Sequence, residues 1–214
     1  MTQHHRTWPV WAVVAVAAVS FPRPAPAGPN AGGMLVVHDS GLVYSEAGDP
    51  PGPTDPPECA GIDAELPAGL PSDGLGWIWK VYAVFPDGSS PRVKAFCLGA
   101  EFPSSVSVLA GDTPGQFDFE LPAGGWPYES GSGTQVSFAG VRTARVIECY
   151  WLAGYGDGGE WKLARHPSQL MMFVDDQFPP IEDQIIGLGS IGFGGPGVTH
   201  CPDGPFIGAC CHPD

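Results

Sequence analysis

The chain has 214 residues, with 9 Lys and Arg against 23 Asp and Glu and a formal charge of −14. A balance this acidic repels phosphate backbones and anionic headgroups, which argues against nucleic acid and anionic membrane surfaces as partners. Gly (31) and Pro (25) make up about a quarter of the residues, a share that borders on low complexity. Disorder is nevertheless the wrong reading, because Trp77, Trp79, Trp126, Trp151 and Trp161 need a core.

In chain order, residues 1–27 read as a secretory signal peptide. His4, His5 and Arg6 form a polar start, residues 8–19 form an apolar run broken by Pro9, and Ala25, Pro26 and Ala27 form a small-x-small cleavage signal after Ala27. The apolar run is too short to span a bilayer, which takes about 20 residues, and no later stretch is long enough. Loss of Arg6 and Arg23 with the leader leaves 7 basic against 23 acidic residues, a charge of −16. Residues 28–198 read as one β-sandwich domain, and 199–214 as a Cys-rich tail whose end looks truncated.

Within the domain, 28–33 reads as a flexible lead and 34–45 as a first strand or a bent pair of strands. Five prolines in 48–57 exclude regular structure there. Residues 76–102 alternate with a period of two around the turn cluster 86–91, which predicts a long antiparallel hairpin. Further strands are expected at 104–111, 117–122, 134–140, 144–155, 160–164, 169–175 and 185–195. A hairpin-like turn is expected at 156–159 and one helical turn at 179–183. The result is all-β: an antiparallel β-sandwich, jelly-roll or Ig-like, with irregular Gly/Pro-rich loops. Its core should hold Trp79, Val81, Phe96, Leu98, Val108, Ile147 and Trp151 between the sheets.

The stretch VKAFCLGAEFPSSVSVLAGDTPG (93–115) resembles cohesin-like and related carbohydrate-binding-module sandwiches of secreted bacterial proteins. The match runs through Phe102, the Pro103-Ser104 turn, the apolar strand 106–109 and Gly111-Asp112. ARVIECYWLAGY (144–155) resembles a later strand of those domains, and GACCHPD resembles the ends of secreted bacterial proteins that carry a GACC-x-P-D-G motif. The resemblance implies a sandwich used for binding or assembly outside the cell, with an extracellular protein or a polysaccharide as partner.

Candidate chemistry is sparse. Asp39-Ser40-Gly41 has the form of an aspartic-protease carboxylate turn but occurs once, where two carboxylates must share a proton. Residues 130–134 lack the register of a nucleophile elbow. No cofactor is called for. Asp175, Asp176 and Asp183 are the candidate calcium ligands, although their spacing does not fit a twelve-residue calcium loop. Trp126, Tyr128 and Trp161 are the candidate sugar platform, set against ordinary core filling. The expected function is therefore non-catalytic adhesion or assembly, with carbohydrate binding second and a hydrolase third.

An exported chain favours disulfides among its six cysteines. Cys97 and Cys149, mid-strand in apolar company, are expected to bridge, and Cys59 and Cys201 are candidates for a staple across the domain ends. Cys210 and Cys211 are adjacent and are not expected to be both bridged within this chain. Zinc at His200, Cys201, Cys210, Cys211 and His212 is disfavoured by spacing.

Overall fold

The structure, a computed structural model, describes residues 27–45, 51, 56–116 and 118–202. Residues 1–26 of the expected leader and the cysteines, histidine and motif of 203–214 lie outside the described residues. The strands are β1 (Met34–Tyr44), β2 (Glu65–Leu66), β3 (Gly76–Val84), β4 (Val93–Glu101), β5 (Val106–Asp112), β6 (Phe119–Pro122), β7 (Gly133–Arg142), β8 (Val146–Gly156), β9 (Glu160–Ala164), β10 (Met172–Val174), β11 (Glu182–Gln184) and β12 (Ser190–Phe193). A short 3-10 turn, Cys59–Gly61, is the one helical element among the described residues. The helical turn expected at 179–183 is instead the end of a hairpin loop and the start of β11.

Two sheets form the all-β sandwich. The first has the antiparallel order β1-β3-β8-β5. The second is built around β4, which takes β7 and then β6 on one edge. Its other edge takes β10 followed by β9, and β11, β12 and β2 continue outward. The chain from 186 to 189 first runs along β1 in the first sheet, through Leu35 N–H to Gly187 O and Gly189 N–H to Leu35 O. It then crosses to pair with β9 as β12.

The hairpin expected over 76–102 does not form: β3 lies in the first sheet and β4 in the second. The turn 86–91 is a crossover. The same holds for β8 and β9, which the glycine turn at 156–159 carries from one sheet to the other. Turn chemistry reverses the chain in either case, and it says nothing about whether the returning strand pairs with its predecessor or packs across from it.

The core lies between the sheets. Trp79, Val81, Phe96, Leu98, Val108 and Ile147 are buried there as expected. Trp79 packs on Trp161 and edge-on against Phe193, with ring centroids 5.9 and 5.7 Å apart. Trp151 is buried elsewhere, on the outer face of the first sheet with Ile78 and Ala153. The cause is a bulge in β8. Val81 pairs with Tyr150 but Tyr82 pairs with Glu148, so Cys149 is an extra residue. Cys149 and Tyr150 therefore both face inward, and the alternation beyond them is inverted.

That outer face also buries Lys80, which is fully inaccessible and pairs with Glu148 at 3.0 Å. Beside it, Met34, Val36, Tyr82 and Val84 pack under Cys59 and Ile62. Cys59 is bonded to Cys201, 142 residues away, so the staple expected between the flanks is present. Cys97 and Cys149 are free thiols, contrary to expectation. Residues 28–33 are not a loose lead: Gly28 and Asn30 donate backbone N–H bonds to the Asp183 carboxylate.

Candidate interaction surface

The three residues proposed as a sugar platform do not share a surface. Trp161 is fully buried in the central aromatic cluster. Trp126 is buried against Tyr150, donating its indole N–H to the Tyr150 hydroxyl at 3.0 Å. That hydroxyl donates in turn to Glu120 Oε1 at 2.9 Å. Burial first, and then the Glu120 carboxylate, push the Tyr150 phenol far above its ordinary range. Tyr128 alone is exposed, at 59%. Core filling absorbed both tryptophans because each brings a large apolar body to the gap between the sheets.

The candidate calcium ligands are similarly dispersed. Asp175 is buried and accepts from the backbone N–H groups of Gln177 and Ile181 and from the Gln177 amide, which fixes the β10–β11 loop. Asp176 pairs with Arg92, which holds its carboxyl below the usual carboxylate range. Asp183 uses both oxygens on Gly28 and Asn30. Among the described residues no group of three or more His, Cys, Asp and Glu is placed to hold a metal ion. The Asp39-Ser40-Gly41 tripeptide is a bulge in β1. Asp39 accepts from Gly41 N–H, Ser40 Oγ donates to Ile78 O, and Gly41 sits at φ +67°.

What the strands do bring together is an outer face on the second sheet where exposed apolar side chains stand among a few polar ones. Cross-strand partners point to the same side of a sheet. Phe119 pairs with Ser137, Ser137 with Ala95, Ala95 with Val174, and Val174 with Glu182, a row that crosses five strands. Beside it, Leu121 pairs with Gln135 and Gln135 with Cys97. The alternate residues Phe96, Val136 and Phe173 turn into the core. Phe119, Leu121 and Leu170 are 63%, 55% and 74% exposed. A shallow depression between Ala95, Cys97, Gln135, Leu170, Met172 and Glu182 marks the middle of the face. Its signal was present in FELP and QLMMFV, where apolar residues occupy the positions that a one-faced strand would give to polar ones.

In structure the chain is similar to cohesin modules. One is the non-cellulosomal cohesin from the hyperthermophilic archaeon Archaeoglobus fulgidus, at 9% identity and a TM-score of 0.45, covering 75% of this chain and 90% of that one. Another is the cohesin module of a family 33 glycoside hydrolase from Clostridium perfringens, at 8% identity and a TM-score of 0.46, covering 75% and 94%. No protein-family model and no curated protein sequence matches the chain.

Proposed function

We propose that this chain is a secreted, non-catalytic β-sandwich that adheres to or assembles with an extracellular protein, docking it on the outer face of the second sheet. The observation that carries this reading is the row over five paired strands that sets Phe119, Ala95 and Val174 among Ser137 and Glu182, with Leu121 and Leu170 exposed beside it. A shallow centre that mixes apolar side chains with Gln135 and Glu182 suits a protein surface, where buried apolar contacts supply the affinity. The excess of 23 acidic over 9 basic residues favours a partner with a basic rim. A polysaccharide is a poorer fit, since two of the three candidate stacking aromatics are buried. The Cys59–Cys201 bond supports an oxidising compartment.

The titratable groups whose pKa values are displaced support a structural role. His38 and His166 each accept a backbone N–H at Nδ1, and Asp39 accepts one at its carboxylate. The test is retention of an identified surface or secreted protein of the same organism by the immobilised chain, repeated with Leu121→Asp. The reading expects at least about a tenfold loss, as for a buried contact at the centre of an interface. Retention of polysaccharide and no protein would replace it with carbohydrate binding.

A further inference from the structure

Gly28, the first residue after the expected cleavage signal, donates its backbone N–H to Asp183 Oδ1 at 2.8 Å. Asn30 N–H occupies the other carboxylate oxygen at 2.9 Å. Asp183 is only 7% exposed and Asn30 is fully buried. The Asn30 side chain then clamps the start of β4, accepting Arg92 N–H at 2.8 Å and donating to Arg92 O at 3.3 Å. A Cβ at residue 28 would collide with Asp183 and with Ile181 Cγ2. The position thus needs glycine, and its nitrogen is aimed at a buried acid. Of the charged groups nearby, Arg92, just ahead of β4, pairs with Asp176 in the β10–β11 hairpin. Apart from Asp183 itself, the other acids of that hairpin are Asp175, engaged by the Gln177 and Ile181 N–H groups, and Glu182, exposed at the start of β11.

We propose that removal of the leader after Ala27 completes this clasp: the α-ammonium freed at Gly28 forms an ion pair with the buried Asp183 carboxylate. A leader peptidase hydrolyses the Ala27–Gly28 peptide bond with one water, leaving a carboxylate on Ala27 and an amine on Gly28 that takes up a proton at neutral pH. Before cleavage the nitrogen presents one N–H to Asp183. After cleavage it presents a full positive charge at the same place, and charge-assisted hydrogen bonds to a carboxylate are the stronger kind. The processing site is then also a structural site, joining the new N-terminus to β11 and, through Asn30, to β4. The inference rests on the export part of the proposed function and is independent of the docking face.

The test is to export the full chain, determine its N-terminus by intact mass and sequencing, and measure acylation of the α-amine. The expected mature chain begins at Gly28. At pH 8 its folded α-amine should react about fivefold more slowly than in urea, the effect of raising an amine pKa by about one unit when that pKa lies near the working pH. Asp183→Asn should restore the fast rate. Should that variant fail to fold, the pH midpoint of labelling in the unaltered chain decides: above the ordinary α-amino range of roughly 7.7–8.0 supports the ion pair, and within or below it overturns it. A mature chain that starts elsewhere, equal rates with and without urea, or a folded Asp183→Asn that stays slow would each overturn the proposal.

Discussion

Cys149 faces the space between the two sheets, whereas Cys97 faces out of the far side of the second sheet, on the row of Gln135 and Leu121. A layer of β-structure therefore separates two thiols that both sit mid-strand in apolar sequence. Stacked sheets are about 10 Å apart before that layer is crossed, well beyond the reach of a disulfide. Burial raises both thiol pKa values, that of Cys149 the more strongly, and Glu182 adds to the effect at Cys97. Iodoacetamide on the folded protein should modify Cys97 slowly and leave Cys149 untouched until denaturant is added. Peptide mapping reads both sites. Equal labelling of the two in the native state would place Cys149 wrongly.

The Cys59–Cys201 bond closes a loop with a sequence separation of 142. On chain-entropy grounds a loop of that size stabilises by roughly 5 kcal/mol. Cys59 also covers the outer-face cluster of Met34, Val36, Tyr82 and Val84. Cys59→Ser or reductant should lower the denaturant midpoint accordingly, with intact β-structure by circular dichroism in the absence of denaturant. A midpoint unchanged by reduction would mean that the staple contributes nothing to folding.

Composition and alternation carry the fold class a long way: all-β, turn-rich, with Trp79, Leu98 and Phe96 at its centre. The pairing of strands is a different matter. PDGSSP looks the same whether it joins paired neighbours or carries the chain between sheets, and the reversed parity of Trp151 arises from one extra residue, Cys149, which no local pattern marks. The site was less legible still. Trp126 and Trp161 have the composition of a sugar platform, yet tertiary packing takes them inward. Phe119 and Leu121 look like core, yet their partners Ser137 and Gln135 place them on the outer face. An exposed apolar strand and a buried one share a pattern, and only the next layer distinguishes them.

Tyr150 links Trp126 to Glu120 through one hydroxyl that accepts from the indole and donates to the carboxylate. Tyr150→Phe removes that oxygen and leaves the Trp126 N–H buried without its acceptor. The expected cost is about 1–3 kcal/mol, the range for an orphaned buried donor. Urea denaturation with an unchanged m-value would confirm it. A cost under about 0.5 kcal/mol would mean that the network carries little energy.

Asp175 acts as a loop brace, with three N–H donors on one carboxylate. Asp175→Ala should cost about 1–3 kcal/mol, since it leaves the Ile181 and Gln177 backbone donors short of their acceptor. Calcium or a chelator should leave the melting temperature of the unaltered chain where it is. A calcium-dependent rise abolished by Asp175→Ala would return this acid to the role of a ligand.

Stability should fall as the solution is acidified from neutrality, beginning near pH 6.5. His38 and His166 both have pKa values lowered in the folded state, chiefly by burial, with the Asp39 and Asp63 carboxylates pulling His38 partly back. Each ring also accepts a backbone N–H at Nδ1, from Asp63 and Ser168, and so needs that nitrogen unprotonated. A folded pKa below the unfolded value of about 6.5 means that the unfolded chain takes up the proton first. The two histidines therefore have no effect on stability well above pH 6.5, and they favour unfolding progressively as pH drops through that value. Asp39 acts in the opposite sense at lower pH: its carboxyl is raised by burial, so the folded chain is protonated before the unfolded one. Chemical denaturation at pH 7.5, 6.5 and 5.5 should show a declining midpoint, and His166→Gln should flatten the slope. A midpoint that rises between pH 7.5 and 5.5, or a slope indifferent to His166→Gln, would show that other groups govern this range.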